Sequence, residues 1–245
     1  MLGWQIFRHA LRMLTGNAAA IVRLYLVPLL VMTGALFAAA YLFFSVTNMA
    51  IGPVWLTLLT AVLVAVPFAI VAITWHRYVL LEILPAHILP PIDPGRLGIY
   101  LQRLLLIGLM VAVALVPALI LVSGMLTGLT GLSATTLLPL VRFGLSSVAV
   151  AAILRWSPAL VAAALGQSLE LQASWRVTAP FSKDLIVTGL CVEGLFWLLN
   201  LPLGQLTGAM APAFWVSLLM LLRGIVMLCL ATTVFGYVIE KRALT

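Results

Sequence analysis

Asp184 to Asn200, DLIVTGLCVEGLFWLLN, is an apolar run of membrane length with one carboxylate, Glu193, near its middle. Hydrocarbon does not tolerate a lone charge cheaply, so this residue needs a partner within the membrane. The next apolar run, APAFWVSLLMLLRGIVMLCLATTVF, supplies a candidate in Arg223. Glu193 lies about nine residues from one end of its run and Arg223 about eleven from the opposite end of the next, so at 1.5 Å per residue both fall roughly 14 to 17 Å deep. The two side chains are expected to meet near the midplane. Gly189, four residues before Glu193, is expected to let another helix approach the same face, and Asn200 lies two turns further along it.

Composition places the rest of the chain in the same setting. Of 245 residues, 64% are hydrophobic and 8% charged, too few charges to cover a soluble globule of this size. The net charge of +7 raises nucleic acid as a partner, but the basic residues are scattered singly between apolar runs and form no patch. Cys191 and Cys229 both lie inside apolar runs and read as buried thiols, neither a disulfide framework nor a zinc site. An N-terminal signal peptide is not expected, since the apolar stretch after Asn17 far exceeds a typical signal core.

Read outward from Glu193, the sequence is an all-α, single-domain polytopic membrane protein with six transmembrane helices arranged as three hairpins. The spans are about 20–45, 53–75, 104–122, 138–154, 184–200 and 212–239. Residues 1–16 form an amphipathic helix expected on the membrane surface, with Trp4, Phe7, Leu11 and Leu14 on one side and Arg8, His9 and Arg12 on another. Pro53, Pro139 and Pro212 each sit in the first turn of a returning helix, while Pro28, Pro67 and Pro117 are positions where a span can kink or break. Two charged connections, from His76 to Arg103 and from Arg155 to Lys183, contain interfacial helices. In the first, Asp93 and Pro94 form an N-cap and first-turn pair; in the second, a surface helix over 168–178 is stopped by Pro180. The loops 46–52, 123–136 and 201–211 carry no charge, so the positive-inside rule puts both termini in the cytoplasm of a bacterial inner membrane.

Trp75, His76, Arg77, Tyr78, Val79, Leu80 and Leu81, closing the second span, carry a family likeness together with Arg155, Trp156, Ser157, Gly166, Ser168, Leu169, Ser174, Trp175, Arg176 and Thr178 after the fourth. Over about half the chain the sequence resembles poorly characterised bacterial membrane proteins like the membrane domain attached to some glycerophosphodiester phosphodiesterases. The resemblance implies six-span architecture and no reaction, since the catalytic phosphodiesterase domain has no counterpart here. It departs at Leu171, which stands where a capping-box acid after Ser168 is expected.

Three sets of residues are candidates for function. Glu193, Arg223 and the shallower Arg142 form a candidate polar centre, either a structural ion pair or a transport site. Arg77, Arg96, Arg155 and Arg176 are candidate contacts to lipid headgroups, with Trp75, His76, Tyr78, Trp156 and Trp175 as interfacial anchors. Ser146 and Ser147 suggest an intramembrane nucleophile, but that chemistry needs a histidine base and His9, His76 and His87 all fall in interfacial segments. These serines read instead as sites of close helix packing, as do Gly124 with Gly128 and Gly204 with Gly208. No phosphate-binding loop, metal cluster or catalytic signature is present, so neither a cofactor nor a metal is expected. The expectation is a non-enzymatic protein acting by association, as an accessory, assembly or lipid-organising partner of a membrane complex, with membrane lipids and other subunits as partners and no nucleic acid. The alternative is a small transporter or lipid-handling protein using the Glu193 centre.

Overall fold

The computed structural model describes residues 1–25, 28, 30, 34, 53–83, 93–130, 134–202 and 210–244. All regular secondary structure among them is helical: α1 (Leu2–Gly16), α2 (Pro53–Leu81), α3 (Pro94–Thr130), α4 (Ala134–Leu165), α5 (Leu171–Val177), α6 (Ser182–Asn200) and α7 (Met210–Val238), with a short 3-10 turn at Ala179–Phe181. Most of the first expected span, the loop 46–52, Pro85, Pro90, Pro91, His87, Gly204 and Gly208 lie outside the described residues.

Among the described residues four helical stretches are long and apolar enough to cross a membrane: Val62–Leu81, Pro94–Gly128, Leu137–Leu165 and Phe214–Val238. They make the chain a multi-pass membrane protein by length and composition. Helix α6, at 19 residues, is shorter than all four, and Lys183, Asp184 and Glu193 leave it more charged.

Helix α4 is the hub, packed against α2, α3, α5, α6 and α7. Its tightest partner is α3, joined to it by a short link, so the two form an antiparallel hairpin. Helices α6 and α7, although consecutive, approach each other at few points; each packs instead on α4 and α1. The core gathers Trp75, Tyr100, Leu154, Leu185, Leu230 and Val234.

Helix α1 spends its apolar side on protein. Gly3, Ile6, Phe7 and Ala10 are buried, while Trp4, expected on that face, is half exposed. The helix docks through Gly3, whose N–H donates to Asp184 Oδ1 (3.1 Å) and whose carbonyl accepts from Thr188 Oγ1 (3.0 Å). The Asp184 carboxylate thus satisfies a backbone donor that the first turn of a helix leaves open. Asn17 ends α1, and its side chain bonds back to the Met13 carbonyl (2.9 Å) while accepting from the Tyr78 hydroxyl (3.1 Å).

Several boundaries differ from expectation. Asp93 Oδ1 does accept the Gly95 N–H (3.1 Å), but the helix it opens runs without a break through the third span and on to Thr130, across most of the expected loop. Ser123 and Thr127 direct their hydroxyls to the carbonyls of Leu119 (2.6 Å) and Ser123 (2.8 Å), so neither competes with the helix. Pro67 and Pro117 likewise lie inside continuous helices. The helix containing Pro139 begins five residues earlier, at Ala134, and among the described residues nothing packs against Gly124 or Gly128.

Helix α4 also outlasts its expected end near Leu154 by eleven residues, through Pro158. Proline at 158 removes the N–H that would bond the Leu154 carbonyl. Ser157 Oγ takes that place, donating to Leu154 O at 2.9 Å in a buried position. The helix then closes at Gly166, whose φ of +77° suits glycine, with Gly166 N–H on Ala163 O (3.1 Å) and Gln167 N–H on Ala162 O (2.8 Å). The surface helix expected over 168–178 is shorter, with Glu170 at its N-cap in place of Ser168.

Candidate functional site

Glu193 and Phe196 stand three residues apart on one face of α6, and α7 brings Arg223 to both. The guanidinium holds the carboxylate at both oxygens, Nη2 to Oε1 and Nη1 to Oε2 (3.4 Å), and lies 5.6 Å from the Phe196 ring. A second bond, from Trp215 Nε1 to the Leu199 carbonyl (3.1 Å), ties the same helices near the end of α6. The side chain of Glu193 is 10% exposed and that of Arg223 38%. The expected pair therefore forms, and its charges cancel within it. Arg142 is no part of it: the residue is exposed and makes no ion pair among the described residues.

Gly189 works as its position suggests, because α4 presses on it at Ser147. Asn200 turns back to the Phe196 carbonyl (2.7 Å) and does not extend the centre. Ser147 is buried and bonds its own helix at Phe143 (2.8 Å). Cys229 is buried and Cys191 partly so. Among the described residues no group of histidines, cysteines and carboxylates is placed to hold a metal ion.

The four arginines expected at headgroups separate into three environments. Arg77 and Arg96 lie within electrostatic range of each other. Arg155 instead turns inward: Nη2 donates to the Trp175 carbonyl (2.7 Å), and the guanidinium stacks 3.5 Å over the Trp175 ring. In return the Arg155 carbonyl accepts from Ser174 Oγ (2.8 Å) and Thr178 Oγ1 (3.2 Å), and Trp156 packs on Trp175 with centroids 4.6 Å apart. This two-way latch fixes α5 to α4, which leaves Arg155 little freedom to serve a lipid. Arg176, on the outer side of α5, is exposed.

Trp75 and His76 are not interfacial anchors but core residues. His76 Nδ1 lies 2.8 Å from Thr232 Oγ1, whose own proton goes to the Leu228 carbonyl (2.8 Å). Nδ1 is therefore the donor and Nε2, buried and without a partner among the described residues, carries the lone pair. The sequence signal for this contact is a hydroxyl pair, Thr232 and Thr233, set in an otherwise apolar run.

Two further arginines donate to helix carbonyls. Arg103 Nη1 donates to the Ala159 carbonyl inside α4, and Arg242 Nη2 donates to the Leu80 carbonyl (3.0 Å) in the last turn of α2 while pairing with Glu240. At Leu80 the cation satisfies an orphan acceptor and matches the helix dipole.

Comparison with known proteins finds no family model, curated sequence or solved structure that matches this chain. The site must be read from its own geometry.

Proposed function

We propose that the chain is a six-span integral protein of a bacterial inner membrane, its helices paired as three hairpins and both termini cytoplasmic, that acts by association and catalyses no reaction. In this reading it is an accessory, assembly or lipid-organising partner of a membrane complex, in contact with lipids and other subunits. The observation that carries it is the closed polar centre: Arg223 occupies both oxygens of Glu193. An ion pair of this kind sets the register of two helices without needing a substrate. Helix α3 adds support, since one stripe faces α4 while Leu105, Leu109, Val113, Val116 and Ile120 remain exposed along its length. The basic residues of the N-terminal segment, the charged connections and the tail supply the argument for sidedness. Likeness to the membrane domain of glycerophosphodiester phosphodiesterases belongs to the same proposal and rests on sequence alone, at residues such as Arg155, Trp156, Ser174, Trp175 and Thr178.

The test is the mass of the purified chain in mild detergent and in lipid nanodiscs, with photo-crosslinkers at Leu109 and Val116. A defined oligomer or discrete protein adducts support association; a lone monomer with no adduct at either position contradicts it. A transporter reading draws on the 38% exposure of the Arg223 side chain, which leaves that cation open on one side. Interrupted helices would strengthen it, and Pro67 and Pro117 do not interrupt theirs.

A further inference from the structure

Where the first turn of α3 meets the end of α4, the two helices part around a cavity of about 440 Å³ whose walls include Asp93, Arg96, Ile99, Arg103, Gly166 and Ser168. Of the last four carbonyls of α4, those of Ala162 and Ala163 take the chain's own amides, and Arg103 donates to the Ala159 carbonyl earlier in the helix. Asp93, the carboxylate at the rim, is engaged with the Gly95 N–H, and Glu170 lies within electrostatic range of Arg103.

Arg96 is left over. It lies beside Gly166, where a Cβ would stand 3.5 Å from its Nη2, and its Nε is buried without a hydrogen-bond partner among the described residues. Arg77 adds a second positive charge nearby. The Arg96 guanidinium on the cavity wall, with Arg103 across the same wall and the Arg77 charge close by, suits an anion with several acceptor oxygens. Ile99, 48% exposed, gives the cavity an apolar flank.

We infer that this cavity binds a phosphate group, with Arg96 as its principal donor and Arg77 and Arg103 contributing charge, the phosphate belonging to an anionic phospholipid or to a free phosphate ion. The inference deepens the lipid-organising reading and rests on it for the lipid source alone. Oligomeric mass tests that reading; the following experiment tests the cavity.

The full chain is placed in phosphatidylcholine nanodiscs, and its thermal stability is followed on adding inorganic phosphate or on including a minor fraction of phosphatidylglycerol. The wild-type chain is expected to gain stability with at least one probe, phosphatidylglycerol alone marking a headgroup and phosphate alone a free ion. Arg96→Gln is expected to weaken the response roughly tenfold in probe concentration, the scale of one charge-assisted contact, while Lys183→Gln, at an exposed position away from the cavity, retains it. Ile99→Glu, which sets a carboxylate on the cavity wall, is expected to abolish the response even if Arg96→Gln folds poorly. No response to either probe, an equal loss in Lys183→Gln, or a full response in Ile99→Glu overturns the inference.

Discussion

Gly189 of α6 lies directly against the Ser147 carbonyl of α4, where a Cβ would stand 2.3 Å from the oxygen. Real Cβ atoms do not approach backbone that closely, so the packing of α6 on α4 exists only with glycine at this position. Gly189→Ala is expected to lose about 1–3 kcal/mol through forced separation, outweighing the gain of up to ~1 kcal/mol that alanine brings to a helix. Gly194→Ala, in the same helix with open space around it, should be neutral or stabilising. Unfolding titrations in detergent micelles check both; equal effects at the two positions would refute the close approach.

Ser157 and Pro158 form a compensated pair. Ser157→Ala strands the Leu154 carbonyl and is expected to cost about 1–3 kcal/mol. Adding Pro158→Ala restores a backbone N–H at the right distance, so the double variant should recover most of that loss. A double variant no more stable than Ser157→Ala alone would show that the serine hydroxyl has another role.

The Arg155 latch predicts a local effect. Arg155→Lys keeps the charge but loses the planar stack on Trp175, a change that is not conservative at such a site. The expected cost is about 1–2 kcal/mol, with proteolysis appearing first between residues 166 and 182 as α5 detaches. Ser174→Ala combined with Arg155→Lys should cost less than the sum of the single changes, because both act on one interface. Strict additivity would mean that the two halves of the latch are independent.

Helical class and multi-pass character are legible from apolar run lengths alone, because 1.5 Å per residue ties span length to membrane thickness. The meeting of Glu193 with Arg223 is legible for the same reason, since depth counted from opposite ends places both at one level. Helix ends are harder to read. Pro158 reads as a stop, yet the adjacent Ser157 supplies the missing donor; the small polar residues after Val122 read as a loop, yet their hydroxyls bond back into α3. Tertiary contacts of local signals are hidden altogether. Arg155 looks like any interfacial arginine until Trp175, twenty residues on, is known to lie beneath it. His76 reads as a headgroup anchor until Thr232 is seen across the core. Arg103, read as the last charge of a connection, proves to donate to the Ala159 carbonyl of α4 and to line the cavity beside Arg96.

The central claim is that the Glu193–Arg223 pair holds helices together and needs no ligand. Its most direct test is a charge-reversal cycle in membranes: Glu193→Gln, Arg223→Gln, the double variant, and the swapped pair Glu193→Arg with Arg223→Glu, each scored for folded yield and thermal stability. Each single change is expected to destabilise, Glu193→Gln by about 2–4 kcal/mol because it leaves a cation unpaired within an apolar span, with the double or swapped variant recovering. Normal folding of every variant, together with loss of a growth or transport phenotype in those lacking Glu193, would contradict the claim and make the pair a working site.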